Sequence, residues 1–148
     1  MKKQILIILL FILLSSFSKS QNTSKNHVFE PERFRVLRDT QTLTGTILKI
    51  NQELDGDMHI QLRMNCNCVE LSPRNYTKQD SCIVLEIVCA HKPKIPLICA
   101  CKDYVNEISI PIVGNEIIVT GQLVFDKIHR WTEIHPVYNW SYQFEVAK

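Results

Sequence analysis

The cysteines constrain this chain most. All six fall in one stretch, at Cys66, Cys68, Cys82, Cys89, Cys99 and Cys101. An even number reads as a disulfide framework in an oxidising compartment, and as metal ligands or reactive thiols in a reducing one. The N-terminus decides between these. Lys2 and Lys3 give a positive start, Ile5 to Leu14 is an unbroken apolar run, and Ser18 and Ser20 supply small residues ahead of a cut before Gln21. A run of about ten apolar residues, at roughly 1.5 Å each, spans only half of a bilayer core. Residues 1–20 therefore read as a cleavable signal peptide. The expectation is a secreted or periplasmic protein that has disulfides and no membrane span once the leader is gone. Sequence alone does not choose among the cysteine pairings.

Removing the leader changes the charge. Without Lys2, Lys3 and Lys19 the 17 basic residues fall to 14 against 15 acidic ones, a net of −1. Such a chain lacks the broad positive field that drives non-specific nucleic-acid binding, so a nucleic-acid partner is disfavoured. Residues 21–40 are polar and aperiodic and read as a flexible N-terminal arm. Residues 41–148 read as one domain.

That domain is patterned for strands. Leu43 to Ile50 is rich in β-branched residues, and Asn51 to Asp57 is a turn built around Asp55-Gly56. From Met58 to Met64 the apolar residues alternate with His59, Gln61 and Arg63, as in a half-buried strand. Asn65 to Ser81 is a long polar loop that calls for a covalent tie, such as a bridge from Cys66 or Cys68 to Cys82. Cys82 to Ala90 is an apolar run broken by Glu86, and Leu97 to Val105 is a candidate short helix. Ile108 to Pro111 reads as an edge segment. Glu116 to Asp126 is the strongest strand, Lys127 to Arg130 a hairpin tip, and Trp131 to Val137 its return strand; Asn139 to Val146 is a candidate last strand. Leu43-Thr44-Gly45 and Val119-Thr120-Gly121 echo one another, and a glycine inside a strand permits the sharp bend a small barrel needs. The predicted fold is all-β: a five-stranded OB-fold-like Greek-key barrel with at most one short helix, placed between the third and fourth strands.

Four segments also resemble an uncharacterised family of exported bacterial OB-like domains. They are T-G-T-I-L-K-I (Thr44 to Ile50), D-G-D-M-H-I-Q-L (Asp55 to Leu62), I-P-I-V-G-N-E-I-I-V-T-G (Ile110 to Gly121) and H-R-W-T-E-I-H-P-V (His129 to Val137). The resemblance covers roughly Gln41 to Trp140. It implies a secreted barrel with a disulfide between Cys89 and Cys101, and it implies no reaction. Arg130 departs from the pattern, standing where such sequences usually place glycine, which predicts another turn type at the hairpin tip. With Cys89–Cys101 accepted from the resemblance, Cys66 or Cys68 bridges to Cys82, and Cys99 takes the remaining cysteine or stays free. Neighbouring C-x-C residues are not expected to bridge each other.

Two sets of polar residues are candidates for chemistry. Period 2 places Asp57 and His59 on one face of the second strand, and Trp131, Glu133 and His135 on one face of the fifth. If both strands flank the first, Asp57, His59, Glu133 and His135 gather into a set suited to zinc or another divalent ion, as in a metal-dependent hydrolase. The D-G-D of Asp55 to Asp57 resembles the acidic turn of staphylococcal-type thermonucleases, but the arginines and glutamate of a nuclease site are not matched, Arg63 and Arg74 being weak candidates. The two C-x-C pairs would make a four-thiolate metal site only if their thiols stayed reduced. There is no G-x-S-x-G, P-loop or G-x-G-x-x-G. The leading expectation is thus a non-catalytic binding module without a cofactor. Its partner is an extracytoplasmic ligand (oligosaccharide, peptide or protein), met by Asp57, His59, Arg63, Arg130 and Trp131.

Overall fold

The computed structural model describes residues 24–95 and 99–143. The leader, the start of the helix expected at Leu97, the Cys99 side chain and residues 144–148 lie outside the described residues. Among these residues there are five strands: β1 (Phe34–Gln52), β2 (Met58–Met64), β3 (Ile83–Ile87), β4 (Glu116–Asp126) and β5 (Trp131–Tyr142). They close into a barrel in the order β1-β2-β3-β5-β4. β3 and β5 run parallel, and the other neighbours run antiparallel.

The alternation seen in the sequence fills the barrel. Leu43 and Ile47 of β1, Ile60 and Leu62 of β2, Leu85 of β3 and Ile134 of β5 are all at most 1% exposed. The echoing glycines sit where the sheet is tightest. A Cβ on Gly45 would lie 2.3 Å from the Arg63 carbonyl oxygen, and one on Gly121 would lie 2.5 Å from that of Pro136. The β4–β5 register shifts on both sides of Gly121, so this glycine marks the bend of the fourth strand.

Several expectations need correction. Order does not wait for Gln41. β1 begins at Phe34 and its first half pairs with the far end of β4, Phe34 facing Asp126, so residues 34–40 are strand rather than arm. Arg33 supports this start through its ion pair to Asp126 (2.6 Å). The helix also lies elsewhere. Pro73–Lys78, here α1, interrupts the long loop between β2 and β3. Ser72 precedes Pro73 as N-cap and first-turn proline, and Asn75 holds the turn. The Asn75 side chain is fully buried; its amide donates to the carbonyls of Cys82 (3.0 Å) and Thr132 (2.9 Å), and its oxygen accepts from Thr132 N–H (2.8 Å). Among the described residues, only a short 3-10 turn at Cys99–Cys101 falls where the helix was expected, and Ile108 to Pro111 is not a strand. Asn139 does not start a separate strand; β5 runs on through it to Tyr142.

The cysteines pair as the resemblance implies at Cys89–Cys101, while the other expected pairings are not found. Cys89 and Cys101 are bonded, with Cα atoms 5.3 Å apart. Cys66 bonds to Cys68 instead of reaching Cys82, because successive bends at 65–67 bring their Cα atoms to 5.3 Å, within disulfide reach. Cys82 is a free, fully buried thiol. The loop is therefore docked by Asn75 rather than by sulfur. No helix among the described residues is long and apolar enough to cross a membrane.

Candidate functional site

The outer face of β1, β2, β3 and β5 carries a polar pocket of about 330 Å³. The registry builds it. Asn51 of β1 faces His59 of β2, His59 faces Glu86 of β3, and Val84 of β3 faces Glu133 of β5. Contrary to the expectation, β2 and β5 do not both flank β1; their common neighbour is β3. The outward residues of the two strands therefore meet across Glu86, which the sequence marked only as a lone charge in an apolar run.

His59 and Gln61 were expected on a solvent face, yet both are buried. Gln79, just beyond α1, folds over them, and its Oε1 accepts from His59 Nε2 (3.1 Å) and Gln61 Nε2 (2.8 Å). The other His59 nitrogen lies 2.8 Å from Glu86 Oε1. Both ring nitrogens thus face acceptors, which is the pattern of an imidazolium. Burial opposes that charge, but the hydrogen bond and charge of Glu86 outweigh it and carry His59 up to about 9.

His135 occupies the matching place on β5. Its Nδ1 lies 3.1 Å from Glu133 Oε1, and the other Glu133 oxygen accepts from the Trp131 indole N–H. The Phe34 ring packs against the imidazole at 4.4 Å. Burial works against a charged ring here too. The hydrogen bond and charge of Glu133, with Glu86 and Asp57 nearby, still push His135 above the usual histidine range.

Asp57 closes the floor. One of its oxygens accepts from Cys89 N–H (2.7 Å), and burial pushes the carboxyl up to about 7 against the pull of His135. Burial likewise raises Glu86, which His59 pulls the other way. Among the described residues four buried side-chain polar atoms lack a hydrogen-bond partner, and two of them, Glu86 Oε2 and His135 Nε2, belong to residues lining the pocket; the others are Ser24 Oγ and His91 Nε2.

The expected site residues separate accordingly. Asp57, His59, Trp131 and His135 line the pocket, and Glu133 lies behind His135 at 1% exposure. Arg63 is exposed and lines a different depression, beside the Cys66–Cys68 bridge. Arg130 is exposed at the hairpin tip and keeps a glycine-like backbone (φ 64°), so the tip does not switch away from the left-handed conformation. Among the described residues, one trio brings metal-ligating atoms within 4.8 Å of one another: Asp57 with Cys89 and Cys101, whose sulfurs are bonded to each other. Asp57, His59, Glu133 and His135 do not form such a group, and the thiolate site is closed because Cys66, Cys68, Cys89 and Cys101 are all in disulfides. Asp55 and Asp57 make a turn rather than an acidic cluster, since Asp55 Oδ1 accepts from Asp57 N–H (3.1 Å).

Sequence reading missed Glu86, Gln79 and Asp126. Asp126 ends β4 and is fully buried. It accepts from Arg33 Nη2 (2.6 Å), Ile128 N–H (2.7 Å) and His129 N–H (2.9 Å), and His129 Nδ1 lies 2.9 Å away. Burial would raise this carboxyl, but the His129 hydrogen bonds and the Arg33 charge hold it well below the usual carboxylate range. The hub fixes the tip beside the pocket mouth, where the His129 and Trp131 rings stack at 4.5 Å. Comparison of the chain with protein-family models, curated proteins and solved structures returns no match.

Proposed function

We propose that this chain is an exported OB-like barrel that binds a small polar ligand, without turning it over, in the pocket on the outer face of β1, β2, β3 and β5. The strand order, with its parallel β3–β5 pair, supports the OB-like reading. So does the position of the pocket, between the turn at 51–57 and the hairpin at 127–130. The disulfides favour an oxidising compartment, in keeping with a secreted or periplasmic chain.

One observation carries the binding reading: Glu86 Oε2 and His135 Nε2 lie buried in a pocket wall without partners. A buried polar atom left unpaired costs about 1–3 kcal/mol, and a fold keeps such atoms where something from outside completes them. A volume near 330 Å³ is at the lower end of pockets that take small molecules. The hydrolase alternative at Asp57, His59, Glu133 and His135 has less support, because the His59 nitrogens and the Glu133 oxygens are already engaged.

Nuclear magnetic resonance titration of the mature protein against saccharide and short-peptide libraries tests the reading. The expected result is shifts centred on Asp57, His59, Glu86, Trp131 and His135. Shifts confined to the Arg63 depression, or none in either library, would overturn it.

A further inference from the structure

The two unpartnered atoms also specify what kind of group completes them. His59 is already a double donor, so Glu86 Oε1 is occupied and Oε2 remains an acceptor. His135 donates through Nδ1 to a Glu133 that the Trp131 indole holds in place. The charged groups facing His135 are Glu133 on its own strand, Glu86 on β3 and Asp57 beside β2, all carboxylates, while β1 contributes the apolar Phe34 ring. Those three carboxylates favour the imidazolium form of His135, in which Nε2 is a donor, and Nε2 has no partner in the protein. The wall therefore offers an acceptor at Glu86 Oε2 and, in the imidazolium form, a donor at His135 Nε2.

A carboxylate ligand only accepts and an ammonium only donates, so each satisfies one of the two and repels the other. A hydroxyl oxygen donates and accepts at a single atom. The charge balance agrees. The carboxyl groups of Asp57, Glu86 and Glu133 face the imidazoles of His59 and His135, so groups of neither sign line the pocket alone. The indole of Trp131 lines the same pocket and adds apolar surface of the kind a sugar ring packs on.

We propose that the pocket takes a neutral saccharide, with one of its hydroxyl groups seated between Glu86 Oε2 and His135 Nε2. This rests on the binding reading above and goes beyond it by naming the ligand class. The test uses the mature protein on an array of neutral, acidic and amino sugars with a short-peptide set beside it. Calorimetric titration of the best neutral sugar and its single-deoxy analogues follows.

The expected result is binding to neutral sugars, at least about tenfold weaker binding to analogues carrying an ammonium or carboxylate, and a similar loss for one deoxy position. Glu86→Gln is expected to weaken the sugar about tenfold; the deoxy series gives the same information on the unaltered protein if that variant folds poorly. Charged sugars or peptides binding as tightly as neutral sugars would overturn the saccharide assignment and leave the binding reading standing. Silence across both sets would overturn both.

Discussion

Asp57 and Asp126 are two aspartates buried on the same barrel, and their surroundings push them in opposite directions. Asp126 meets donors on every side: a guanidinium, two backbone N–H groups and an imidazole. Asp57 has one backbone N–H and sits among other carboxylates. Burial disfavours charge at both, so the difference lies in how completely each is solvated by the protein. The Asp126 hub is finished by the fold, whereas the Asp57 floor is left open toward a pocket. The contrast separates structural from pocket-facing polarity better than burial does, because both carboxylates are almost fully enclosed.

The largest effect is expected from breaking the finished side. Asp126→Ala strips partners from Arg33 and from the hairpin tip, and should lower unfolding free energy by about 3–4 kcal/mol in urea titrations. A loss below about 1 kcal/mol would mean that the hub is not structural. Its pH signature is a second check. The folded carboxyl lies below its unfolded value, so its contribution is present above pH ~4 and fades as pH falls below that. Asn75→Ala, at the other fully satisfied site, should cost about 2 kcal/mol, since it strands the carbonyls of Cys82 and Thr132.

The open side should behave with the reverse sign. The Asp57 carboxyl is raised from 3.8 to about 7, so the folded state holds a proton that the unfolded state releases between those values. Stability conferred by this group is present below pH ~4, declines as pH rises toward 7, and is flat beyond. Asp57→Asn keeps the acceptor for Cys89 N–H and removes the titration. It should therefore equal the wild type near pH 4 and exceed it by about 4 kcal/mol at pH 8 in thermal melts. A variant less stable than the wild type at pH 8 would place Asp57 with the finished residues. The smallest effect is at Arg130, exposed and held at φ 64°, where Arg130→Gly should raise stability by about 0.5–1 kcal/mol.

The sequence made the walls of the barrel legible and the site only in part. β2 and β4 fall on the predicted spans because strict alternation in one and a dense β-branched run in the other leave little choice. Phe34 to Thr40 failed because it is mostly exposed and held by pairing with distant β4, which no local pattern encodes. The α1 turn carries a local signal in Ser72-Pro73, an N-cap and first-turn proline, which the reading of Asn65 to Ser81 as one polar loop did not use. His59, Trp131 and His135 were recognised as polar residues at outward positions. Glu86 joins them only once β3 is known to lie between β2 and β5, and the strand order is a long-range fact.

That arrangement bears on how the cylinder opens. Where the parallel strands meet, the paired residues are Val84 with Glu133 and Leu85 with Ile134, the shortest run of rungs around the circumference. Glu86 and His135, which carry the unpartnered atoms of the pocket, lie on the two sides of this short join. On the binding reading proposed above, an occupant held by both would act as a stitch across that join, so amide exchange at residues 84–85 and 133–134 should slow when the pocket fills, while the long β1–β4 join stays unchanged.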